Sequence, residues 1–230
     1  MIKSGIDQQA LADMFSTATA RQGEALRAAV SDATLKALQG REMTLKNIQG
    51  VLKSVTQAAS AGAAGHAAPA ADVEALLAKT VAGMDAALLQ AVQAQHKALD
   101  QFVAQGIDAG QKPFKEALAN LEKMESVFFT AVGKAAEGAA QPLQGPWDQV
   151  LEKIKLKGSD SGASATASVA QILAGAQAAS RDGRAAGKRA ADDLMKGYAT
   201  LVSGVLIGMS QALQQAAPAA AGTSKSARKG

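Results

Sequence analysis

The chain has 230 residues, of which 24 are basic and 20 acidic, for a formal net charge of +4. It contains no cysteine, so disulfides and thiolate metal sites are excluded, and so mild and dispersed a basic excess indicates no specific nucleic-acid partner. Alanine makes up about a quarter of the sequence, while the aromatic residues are five Phe, one Trp and one Tyr. Alanine is the strongest helix former and strand-favouring types are scarce, so the expected class is all-α.

The N-terminal stretch MIKSGIDQQALADMF carries Asp7 and Asp13 and lacks a continuous apolar run, which argues against a secretory signal. Residues 1–60 read as an N-terminal helical segment in two pieces. Asp7 is placed to cap the first, whose few large apolar groups are Phe15 and Leu26. Asp32 is placed to cap the second, whose stripe runs Leu35, Leu38, Leu45, Ile48, Leu52, Val55. The small-residue run ASAGAAGHAAPAA (59–71) reads as a flexible linker, centred on 61–71.

The main helical bundle is expected over 72–215. Asp72 opens a helix with Leu77, Val81, Met84, Leu88 and Val92 on one face. Pro113 either opens a new helix or kinks the old one. Beyond it Phe114, Leu118, Leu121, Met124, Phe128 and Val132 form the strongest stripe in the chain. Leu77, Val81, Met84, Leu88, Phe114, Leu118, Leu121 and Phe128 are therefore the candidate bundle or coiled-coil seam. Inner linkers are expected near 141–145 and 157–164, the latter in the polar run KGSDSGASATAS. Residues 72–110, 113–139 and 165–215 should pack as long antiparallel helices. The segment 216–230, with three positive charges and no large apolar group, reads as a disordered basic tail.

One stretch, LMKGYATLVSGVLIGMSQALQQ (194–215), stands apart, because residues 197–213 pass without a charge. Leu194, Tyr198, Leu201, Val202, Val205, Met209 and Leu213 form a broad apolar face that Leu206 and Ile207 widen. A membrane span needs about 20 predominantly apolar residues. This segment is shorter and includes Thr200, Ser203, Ser210 and Gln211. It reads as an interaction helix that meets a surface or a partner, and integral membrane insertion is not expected. The GVLIG at 204–208 matches the GxxxG spacing that lets helices approach closely, although glycine-rich sequence produces that spacing by chance.

No catalytic motif accompanies these helices. His96 stands four residues before Asp100 on a helix, and the only other histidine, His66, falls in a linker, so no metal-ligand cluster is assembled. The segment SRDGRAAGKRAADDLMK (180–196) interleaves its positive charges with Asp182, Asp192 and Asp193, as a solvated helix face does. No catalytic residue, metal or cofactor is expected, and the chain reads as a non-enzyme.

In texture the sequence resembles the phasin-like, polyhydroxyalkanoate granule-associated proteins of bacteria. The resemblance rests on a cysteine-free chain rich in Ala, Gln and Lys, on the helices PFKEALANLEKMESVFF (113–129) and LEKMESVFFTAVGKAAEGA (121–139), and on the Ala/Pro/Lys/Ser tail. It covers about half the chain, and the glycine-rich apolar helix near the C-terminus departs from the more evenly polar helices of many phasins. The resemblance implies an amphipathic, oligomeric, cytoplasmic protein that coats the apolar surface of a storage-polymer granule. Two other readings fit the helices: a soluble coiled-coil adaptor that meets a helical protein partner, and a membrane-acting protein that inserts residues 197–213.

Overall fold

The computed structural model describes residues 6–18, 22–39, 43–65, 69–105, 111–181 and 198–216. Among these the chain is all-α, with helices α1 (Gln8–Thr17), α2 (Gly23–Gln39), α3 (Leu45–Ala64), α4 (Ala70–Ala104), α5 (Lys112–Glu122), α6 (Met124–Glu137), α7 (Gln141–Lys157), α8 (Asp160–Arg181) and α9 (Tyr198–Ala216).

Contacts between helices give their directions. Glu24 pairs with Lys79 while Gly83 lies against Arg27 and Val30, so α2 and α4 advance in the same sense. Asp85 meets Ser161 and Val103 meets Gly175, so α4 and α8 also run together. Gln8 reaches Ser54 and Ala12 touches Gly62, which aligns α1 with α3. Consecutive strokes reverse: Thr56 of α3 meets Met84 of α4 across the connection at 65–69. The result is a stack of three antiparallel helical hairpins. One layer is α1, α3 and α5–α6, the other is α2, α4 and α7–α8, and the most extensive contacts run between neighbours within a layer.

The core fills the space between the layers, with α4 central to it. Leu77, Val81, Met84 and Leu88 of α4, Phe114, Leu118 and Leu121 of α5, and Phe128 of α6 are all buried there. Among the described residues, α4 alone is long and apolar enough to cross a membrane, by length and composition, and more than half of that stretch is buried inside the bundle.

Several boundaries differ from those read in the sequence. Among the described residues the N-terminal segment holds three helices rather than two. Asp32 lies within α2, and the cap that the periodic stripe concealed is Thr44, whose hydroxyl accepts from Asn47 N at 3.3 Å. Asp7 caps α1 through Ala10 N at 3.0 Å. The small-residue run that begins at residue 59 is helical through Ala64 rather than a linker there, and its smallness serves contact. Gly62 touches the Ala12 carbonyl, and a methyl group there would lie 2.7 Å from Phe15 Cβ. Pro113 sits in the first turn of α5, where a missing N–H costs nothing. The strong stripe continues across a one-residue break at Lys123 between α5 and α6. Residues 141–145 open α7 instead of interrupting the chain.

The polar run at 157–168 is mostly helix as well. Gly158, at φ 80° and ψ 170°, takes an extended positive-φ conformation open to glycine and ends α7, and α8 begins at Asp160. The free N–H groups of α8 are met by carboxylates from other helices. Asp85 of α4 accepts from Asp160 N at 2.8 Å, Ser161 N at 3.1 Å and Ser161 Oγ at 2.5 Å. Glu125 of α6 accepts from Ser159 N at 3.2 Å. The expectations for the basic segment beyond Arg181 and for the tail beyond Ala216 lie outside the described residues.

Candidate interaction site at the C-terminal helix

Helix α9 packs against α4 and, more lightly, against α2. It begins at Tyr198, whose ring lies 5.8 Å from that of Phe102 near the end of α4, and five residues on Ser203 Oγ donates to the Gln39 carbonyl at 3.0 Å. It therefore runs back along α4.

The apolar face read in the sequence divides in a definite way. Val202 and Leu206 are fully buried, while Tyr198, Leu201, Val205 and Met209 are partly buried and packed against the core. The face is thus occupied by the chain's own bundle. Leu194 and the side chain of Leu213 lie outside the described residues. The opposite side of α9 is open: Thr200, Gly204, Ile207, Gly208 and Gln211 are exposed, with Ile207 at 39 %. A methyl group added at Gly204 or Gly208 would meet nothing within 4 Å, so the GVLIG spacing makes no close approach inside this chain.

The seam under α9 has an uneven polar balance. The Tyr198 hydroxyl is buried without a hydrogen-bond partner, and so is Gln39 Nε2, although the Gln39 carbonyl is engaged by Ser203. Burial pushes the Tyr198 phenol well above the usual tyrosine range, so it stays neutral at any physiological pH. An unpartnered buried hydroxyl costs roughly 1–3 kcal/mol. Buried side-chain polar atoms without a partner occur also at Thr34, Gln90, Gln95 and Gln111, whereas the junction of α3 with α7 is satisfied. Trp147 Nε1 donates to Ser60 Oγ at 3.0 Å, and Ser60 Oγ donates in turn to Thr56 O at 2.9 Å.

Other parts of the molecule offer less. A groove of about 360 Å³ between α6 and α7 runs past Glu137, Gln144, Asp148 and Lys155 over the Trp147 ring, with both charge signs on its walls and no convergent set of groups. His96 Nε2 lies 3.1 Å from Asp100 Oδ2 one helical turn away. No group of three or more His, Cys, Asp or Glu able to hold a metal ion is found among the described residues. Sequence reasoning reached the apolar residues of α9 but missed Phe102 and Gln39, the two that form its seat with Tyr198 and Ser203. Nothing local marks them, because their role depends on a helix about a hundred residues or more away in the chain.

No curated protein and no solved structure matches the chain. The model of the family of unknown function DUF6781 matches residues 1–215, nearly the whole sequence, and the chain belongs to that family.

Proposed function

We propose that the protein is a non-enzymatic helical coat that covers an apolar surface, most specifically that of a cytoplasmic polyhydroxyalkanoate granule. The observation that carries this reading is α9. Its apolar face buries Val202 and Leu206 against the bundle, and its open side exposes Ile207 between two open glycines. Apolar surface laid against a polymer gains about 25 cal/mol per Å² covered. The phasin-like texture of residues 113–139 supports the same reading, and it makes the polyester the surface to test first.

A second reading, a coiled-coil adaptor, is favoured by the ridge of Gly204, Ile207 and Gly208, whose flatness suits a partner helix or a second copy of the chain. The two are separated by a fluorescent fusion examined in cells with and without polymer granules. The coat reading requires rings of signal around granules and diffuse signal in their absence. The adaptor reading requires the same distribution in both, and that result would overturn the coat.

A further inference from the structure

Several junctions of the bundle are tied by carboxylates and ion pairs, and the seam beneath α9 is not one of them. At the start of α8 two carboxylates from neighbouring helices meet the backbone N–H groups. Between α2 and α4, Glu24 pairs with Lys79, and between α4 and α7 Glu74 pairs with Lys153 at 2.5 Å. Helix α9 has one such tie among the described residues, Ser203 to the Gln39 carbonyl, and against it stand two buried polar groups with no partner, the Tyr198 hydroxyl and Gln39 Nε2. Lifting α9 carries the Tyr198 hydroxyl into water and frees the Gln39 carbonyl. It also uncovers part of α4, the most extended apolar helix described, at the end marked by Phe102. A helix that is apolar beneath, held by few directed bonds and seated on unsatisfied groups, is poised between two apolar environments of similar quality.

We propose that α9 is a displaceable latch: docked, it covers the apolar strip of α4 and the end of α2, and released, it and that strip together form the surface that meets an apolar polymer. This rests on the coat reading, and it adds that the docked chain is the weakly binding state. Because a ligand that binds only the released state sees only the released fraction, its apparent affinity falls in proportion to that fraction.

The chain has no cysteine, so a pair of introduced thiols reacts alone. We would join Gln39→Cys to Ser203→Cys with a short bis-maleimide, and measure binding of the full chain to polyhydroxybutyrate nanoparticles against the same double variant capped with a monofunctional maleimide. The latch requires the joined form to bind at least about 10-fold more weakly. Equal binding by the two forms would overturn the latch and leave the coat reading standing. Absence of binding by both would overturn the two together.

Tyr198→Phe gives an independent test that spares the fold. Removing the unpartnered hydroxyl favours the docked state by about 5-fold or more, so nanoparticle binding should weaken by a similar factor. If Tyr198 only packed, the variant would bind as the parent does or more tightly, and either result would overturn the proposal.

Discussion

At the scale of single residues the glycines divide by what faces them. A methyl group at Gly83 would lie 2.6 Å from the Arg27 carbonyl oxygen and 2.9 Å from Val30 Cβ. A backbone carbonyl cannot swing aside, so α2 and α4 must separate. Gly83→Ala should therefore destabilise by about 1–3 kcal/mol, despite a gain of about 1 kcal/mol in helix propensity. Gly204→Ala and Gly208→Ala meet open space, so the same propensity should stabilise α9. Thermal unfolding distinguishes these, at about 2–4 °C per kcal/mol for a chain of this size. A lower midpoint for the α9 variants would show that the ridge packs on something in solution. The sequence drew attention to the GxxxG pair at 204 and 208, whereas Gly62 and Gly83 are the described glycines that lie against a backbone carbonyl of another helix. Spacing along one helix carries no information about which side a second backbone will approach, and that is why the useful pair was illegible. The Glu24–Lys79 pair offers a smaller test. Bonds to Lys79 and then Arg27 hold the Glu24 carboxyl below its ordinary value of 4.5. A depressed carboxylate contributes stability above the unfolded value, and the contribution is lost as pH falls through the lower folded one. The group is exposed, so Glu24→Gln should make acid unfolding only slightly less steep.

At the scale of elements, periodicity was legible and boundaries were less so. The stripe from Phe114 to Val132 announced α5 and α6, and the residues from Leu77 to Leu88 announced the buried face of α4, because each places one apolar face on a helix. Helix α8 was half hidden for a physical reason. Its first turn, DSGAS, has a linker's composition, and what makes it helical is Asp85, seventy-five residues earlier, with Glu125 beside it. A cap supplied from another helix leaves no local trace. Asp85→Ala should remove three acceptor contacts at once and cost about 1–3 kcal/mol, while Asp85→Asn should keep part of the effect. The corresponding measurement is amide hydrogen exchange at residues 160–163, which should speed up selectively. Exchange as slow as in the parent would mean that intrinsic propensity alone holds the start of α8.

At the scale of the whole molecule, the three hairpins make a continuous core and α9 is an addition to it. The fully buried large side chains, among them Phe15, Leu38, Ile48, Phe102, Phe114, Phe128 and Trp147, come from α1 to α7. Helix α9 contributes Val202 and Leu206 to that core and packs chiefly on α4, with a lighter contact to α2. The architecture therefore predicts that the stack outlives the loss of α9. Val205→Glu tests this, because Val205 lies half-buried on the side that packs against the core, and a carboxylate buried there without a partner is strongly unfavourable. The helix should leave its seat and keep the charge in water. Glutamate has a higher helix propensity than valine, so the far-ultraviolet signal should change little. Two readings report the displacement: faster chymotryptic cleavage at Tyr198, which loses the cover of Phe102, and a midpoint lowered by only the few degrees that one surface helix supplies. A variant that loses its helical signal altogether would show that α9 is integral to the core, and a variant that keeps the parent's cleavage rate would show that Val205 does not face the seam.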